Sequence, residues 1–217
     1  MQNLLASVFA PHPNNNDKPS FRQFAIFSSW VACYAKHKYG ILSFAIREWR
    51  KSMKGQDIVV LSVLMKGDVE KPSYQYISKS AKISVSEAHA SVKRLCESDL
   101  VNSERHLKKR NVEEFLIHGL RYMFPMKSTG ELAYGMPTSY AAPVSANEFA
   151  ISGNVPVWSS SKGHVLGRSH EPIYPTIPDA AAEDPELYDR IAVLDMLRGG
   201  RLRERMFAER KIKEFLA

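Results

Sequence analysis

Cysteine is almost absent: the 217 residues hold two, Cys33 and Cys96. Two thiols cannot build a disulfide framework or an all-cysteine zinc site, so a reducing compartment is the default expectation. Long apolar runs are also missing. The longest, Phe24 to Ala35, has 12 residues and stops at Lys36-His37-Lys38, whereas a membrane span needs about 20. No positive charge precedes Leu4, so the N-terminus is a poor signal peptide, and the sequence reads as cytoplasmic with no membrane partner. Enzyme signatures are lacking as well. There is no phosphate-cradling GxxxxGK[ST], no GxGxxG and no HExxH, and the seven histidines (12, 37, 89, 106, 118, 164 and 170) show no metal spacing. Glu113-Glu114 stand at a helix start, where the helix dipole accounts for them. The expectation is therefore no enzyme, no cofactor and no metal.

What is present is positive charge and helical pattern. Net charge is +7 and the isoelectric point about 9.4, which favours polyanionic partners. Residues 1–54 carry 8 Lys/Arg against 2 Asp/Glu, residues 55–125 carry 11 against 9, and residues 126–217 carry 11 against 12. Residues 1–54 read as an N-terminal extension, opened by the coil-forming Pro11 to Asp17 and rich in aromatics without clean period. A composition break falls at Met53. It leaves two readings open: Met53 as the native start with 1–52 an upstream reading frame, or an extension packing its aromatics on the core.

Residues 55–125 read as compact helices. Ile58, Leu61, Val63, Leu64 and Met65 give a short helix with a broad apolar face, ended by Gly67-Asp68. Pro72 precedes a second helix, Ser73 to Ser80, which buries Tyr76 and Ile77. After the turn at Ala81-Lys82-Ile83, Ser84-Val85-Ser86-Glu87 is a capping box opening a third helix. Ala88, Val92 and Leu95 fall at i, i+4 and i+7 and form its buried face, while Ser86, His89 and Lys93 share another. Asn111-Val112-Glu113-Glu114 reads as a second capping-box-like start, for a helix to about Met123 with Phe115, Leu116, Leu120 and Met123 as its stripe.

Residues 126–182 form an extended Pro-rich segment; counting Pro125 at its edge, it holds seven of the twelve prolines. It is too apolar for a linker, so an ordered strap is expected, with a short strand or two against the core or a partner. Within it, Gly135-Met136-Pro137-Thr138, with Phe124-Pro125 and Trp158, reads as a pocket or as a packed loop. Residues 183–217 return to helix. Asp184-Pro185 caps a helix with Leu187, Ile191, Leu194 and Leu197, ended by Gly199-Gly200. A basic helix, Arg201 to about Leu216, follows with Leu202, Met206 and Phe215. The pair suits a hairpin or a dimer contact, and Arg198, Arg201, Arg203 and Arg205 read as a solvated face or as a contact for phosphate or an acidic partner.

The stretch 73–95 has the spacing of a helix-turn-helix, and a helix presenting its N-terminal side chains fits the DNA major groove. Ser86, His89 and Lys93 would reach base edges. Ser73 and Ser84 would lie near phosphates, with Lys82 and Arg94 close enough to pair with backbone oxygens. On Gln56 to Leu61, Ser73-Tyr74, Ser84 to Glu87, and Lys93-Arg94-Leu95 to Leu100-Val101, residues 56–123 resemble the winged-helix domain of MarR-type bacterial regulators. The resemblance implies that 84–96 is the recognition helix, and that the protein is a dimer. It departs at the wing, where only Asn102 to Arg110 are available, with Arg105, Lys108, Lys109 and Arg110 for charge. Residues 53–217 also resemble a group of bacterial proteins without assigned activity, on Phe115 to Pro125, Gly135 to Thr138, Tyr174-Pro175 and Leu197 to Arg201.

The expected architecture is mainly α: a winged helix-turn-helix core with a minimal wing, the Pro-rich segment and a C-terminal helical hairpin. The expected function is a sequence-specific DNA-binding transcriptional regulator, homodimeric on double-stranded DNA. The alternative is a protein-binding adaptor or antitoxin with the helix-turn-helix as scaffold.

Overall fold

A computed structural model describes residues 53–67, 69–151 and 153–217. All fall in one of the two units into which the chain divides, Leu42–Ala217. The readings of residues 1–52, including Met53 as a start, and of Cys33 lie outside the described residues.

The run Gln56 to Leu64 is apolar almost all round, and a helix of that kind belongs inside a protein. It forms α1 (Gly55–Leu64), in which every residue from Gln56 onward is buried. Its three polar residues are satisfied: Gln56 donates to Ser91 Oγ at 3.2 Å, Ser62 donates to the Ile58 carbonyl, and Asp57 accepts from Lys54 N and Arg94. Against α1 pack α2 (Tyr74–Ala81) and α3 (Val85–Glu97). The buried side of α3 is Ala88, Ser91, Val92 and Leu95, as its spacing predicts. An isolated antiparallel bridge, Val101 to Leu107, closes a small turn. Asn102 Oδ1 holds that turn by accepting from Glu104 N and His106 N, both at 2.9 Å.

The next helix departs from expectation in two ways. It starts at Lys109, not Asn111, and runs as α4 (Lys109–Glu114), a π turn (Phe115–Gly119) and α5 (Leu120–Met123). Asn111 is no cap, because its amide donates instead to the carbonyl and carboxylate of Asp99. The stripe Phe115, Leu116, Leu120 and Met123 is buried.

The Pro-rich segment holds more strand than expected: β1 (Ser128–Pro137), β2 (Pro156–Ser159) and β3 (Val165–His170). β2 and β3 run one after the other along β1, both antiparallel to it, and the end of β3 returns beside β2 in parallel, closing the sheet. Gly135 is the junction, paired with both Ser159 and Val165. A Cβ there would lie 2.1 Å from the Trp158 carbonyl oxygen, so this closure admits only glycine.

The C-terminal part is α6 (Ile177–Glu183), α7 (Pro185–Gly199) and α8 (Leu202–Leu216). Asp184 caps α7 by accepting from Leu187 N at 3.1 Å. α7 is the hub, packing on α1, α5, α6 and α8. Two readings are corrected here. Gly200 is not a left-handed cap, since its φ is −68°; the glycines are needed for space, because a Cβ on Gly199 would meet Met126 at 2.8 Å and one on Gly200 would meet the Met196 carbonyl at 2.3 Å. And α8 buries Phe207, Ala208, Ile212 and Leu216, leaving Leu202 and Met206 exposed. The chain is thus mainly α with a small three-stranded sheet. No helix of the described residues is long and apolar enough to cross a membrane.

Candidate nucleic-acid interface

The joint between α2 and α3 is built by local hydrogen bonds. Ser73 Oγ caps α2 by accepting from Tyr76 N at 3.1 Å. Lys82 ends α2 in the left-handed region (φ 53°), and Ser78 fixes the turn by donating to the Ile83 carbonyl at 2.6 Å. At α3, Ser84 Oγ accepts from Glu87 N at 3.2 Å and Glu87 returns the bond, accepting from Ser84 N at 3.0 Å. Those bonds from Ser84 hold the Glu87 carboxyl below its ordinary range. The Ser84 hydroxyl both accepts from Glu87 N and donates to the Glu87 carboxylate, whereas Ser73 Oγ accepts its cap bond.

With Ala88, Val92 and Leu95 turned inward, Ser86, His89 and Lys93 stand exposed on α3. Lys93 Nζ lies 4.0 Å from Glu97, a pair in which both side chains are largely solvated. The His89 ring leans on Tyr74 at 4.9 Å between centroids. Tyr74 also carries the Arg105 guanidinium, 4.8 Å above its ring. Arg105 reaches it from the small turn with φ 70°. One aromatic ring thus joins α2, the outer side of α3 and the Asn102–His106 turn. Tyr74 carries part of the resemblance noted above but was not among the expected contacts; its place in the first turn of α2 was the available signal.

The other expected contacts are differently employed. Arg94 is corrected from a phosphate contact to a structural ion pair: Nε and a terminal nitrogen donate to the two Asp57 oxygens at 2.8 and 2.6 Å. Asp57 has no exposed side-chain surface, and its bonds raise the Arg94 pKa above the ordinary guanidinium value. Lys82 is held by Glu183 of α6 at 2.5 Å. Asp179 of the same helix pairs with Lys162, between β2 and β3, at 2.8 Å, and both carboxyls sit below their ordinary range through these lysines. Lys108 pairs with Asp99, and Lys109 donates to the Ala217 carbonyl at 2.8 Å. Arg110 is exposed on α4. Of the eleven expected residues, the fold gathers Ser86, His89, Lys93 and Arg105 around one surface and ties Arg94, Lys82, Lys108 and Lys109 elsewhere.

The place read as a pocket or a packed loop is filled by its own side chains. Trp158 is fully buried and donates from Nε1 to Asp195 Oδ2 at 2.8 Å, as does Thr138 Oγ1. Arg198 donates to Asp195 Oδ1 at 2.6 Å and to the Phe124 carbonyl at 2.7 Å, so it does not belong to an exposed arginine face. Tyr188 donates to the Pro137 carbonyl, and burial pushes its phenol up to about 12. Among the described residues no cluster of His, Cys, Asp and Glu could hold a metal. Comparison with protein-family models, with curated proteins and with solved structures gives no match.

Proposed function

We propose that this chain is a sequence-specific DNA-binding transcriptional regulator of winged helix-turn-helix type, cytoplasmic and homodimeric, with α3 as its reading helix. The observation that carries the proposal is the outer side of α3. Ser86, His89 and Lys93 stand exposed along one side of a capped, well-packed helix, Ser86 and His89 in its N-terminal half, the part that meets base edges when a helix enters the major groove. Arg105, presented from the Asn102–His106 turn over Tyr74, supports it as a neighbouring phosphate contact.

The test is a gel-shift titration on genomic fragments at low salt. A shift that weakens steeply with salt is expected. Lys93→Ala should weaken it about fivefold, on the order of 1 kcal/mol per lost contact. No shift at low salt would remove the proposal, and equal binding by Lys93→Ala would remove α3 from the interface.

A protein-binding adaptor, such as an antitoxin, is the second reading. It is favoured by Tyr134 and Leu166, cross-strand neighbours on β1 and β3 that are 63% and 49% exposed, beside Leu132 at 54%. Co-purification of a stoichiometric partner protein without DNA binding would select it.

A further inference from the structure

On the outward side of α8, Leu202 and Met206 are one turn apart and 67% and 61% exposed, the highest and third-highest values among the large exposed apolar side chains described. Single exposed apolar residues are ordinary; here Met206 lines an aromatic cleft. The cleft, about 300 Å³, lies between α8 and Glu148-Phe149. Phe149 meets Phe207 edge-on at 5.5 Å. Arg203 and Arg210 lie over these two rings at 5.6 and 5.3 Å, which fixes both guanidinia at the rim.

The charge of the rim selects the occupant. Arg203 donates to the Glu148 carbonyl and Arg210 to the Glu148 carboxylate, each at 3.3 Å. At the cleft one carboxylate therefore stands against two guanidinia; further along the same side of α8, Lys213 adds a cation and Glu209 a carboxylate, so the face stays net positive. A second copy of the chain would set this positive rim against itself, which like charges oppose. A nucleic-acid backbone would match the charge but leave Leu202 and Met206 in water. An acidic amphipathic helix matches both, with apolar side chains against Met206 and the phenyl rings and carboxylates on the arginines.

We infer that the α8 face around Met206 docks an acidic, amphipathic helical segment of another protein. The inference goes beyond the DNA reading and shares no residue with it.

The test uses the full chain and a fluorescent peptide with leucines along one helical face and glutamates elsewhere, followed by anisotropy. Saturable binding that weakens with salt is expected. Met206→Asp, and separately the double variant Arg203→Glu/Arg210→Glu, should each weaken it about tenfold or more, with helical circular dichroism unchanged. The same peptide with lysine in place of glutamate should not bind. Binding that does not saturate, equal binding by Met206→Asp, or equal binding of the lysine peptide would overturn the inference. So would sedimentation showing that Met206→Asp splits a dimer, because the face would then belong to a second copy. A variant with altered circular dichroism would be replaced by Met206→Gln, for which a clear loss of binding is again expected and equal binding again overturns it.

Discussion

Asp57 is a carboxylate with no exposed surface, and among the described residues its ion-pair partner is Arg94. Removing one partner of such a pair leaves an uncompensated buried charge, which typically costs about 3–5 kcal/mol. Arg94→Met is therefore expected to lower the urea midpoint by a corresponding amount while leaving the salt slope of duplex binding unchanged. A normal midpoint with a shallower slope would return Arg94 to the interface. His170 makes a second prediction at this scale. Burial holds its pKa below the ordinary histidine value, and its buried Nδ1 has no hydrogen-bond partner among the described residues. Because the folded pKa is the lower one, the unfolded chain binds the proton more readily. The contribution is complete above the unfolded value, about 6.5, and is lost as pH falls below it towards the folded value. Amide protection factors in β1 and β3, corrected for the intrinsic pH dependence of exchange, should accordingly fall between neutral and mildly acidic pH, and His170→Gln should flatten that dependence.

Among the elements, α6 and the α2–α3 turn are the pair with a functional consequence. Glu183 occupies Lys82, immediately before the helix proposed to read DNA. Both groups are partly exposed, so the pair contributes little stability, yet a phosphate could take Lys82 only by displacing a carboxylate. On the proposed function, Glu183→Gln should strengthen duplex binding a few-fold and steepen its salt dependence by about one counterion, with an unchanged melting temperature. An unchanged slope would show that Lys82 does not meet the backbone.

For the whole molecule, α7 joins the helical core to the sheet: it packs on α1, and its Asp195 binds Trp158 and Thr138. Two parts that share such a buried network should unfold together. In a Trp30→Phe/Trp49→Phe background, the Trp158 fluorescence transition in urea should coincide with the loss of helical circular dichroism. Two separated midpoints would mean that the sheet is an independent layer.

The sequence by itself determined what depends on neighbours a few residues apart. The Ser84 cap, the inward Ala88, Val92 and Leu95, and the Asp184 cap are all local bonds or helical spacing, and they lie where the spacing puts them. The exposure of Ser86, His89 and Lys93 follows from the same period. Tertiary structure decided the rest, because charge pairing and burial depend on residues far along the chain. Lys82 meets its carboxylate 101 residues away, and Arg94 meets its own 37 residues away, so neither could be sorted from a free phosphate-binding cation by local pattern. Leu202 and Met206 fit a helical stripe as well as Phe207 and Ile212 do; the position of α7 chose which stripe was covered. The closed sheet has the same cause: Gly135 shows its purpose only once two strands meet at its Cα.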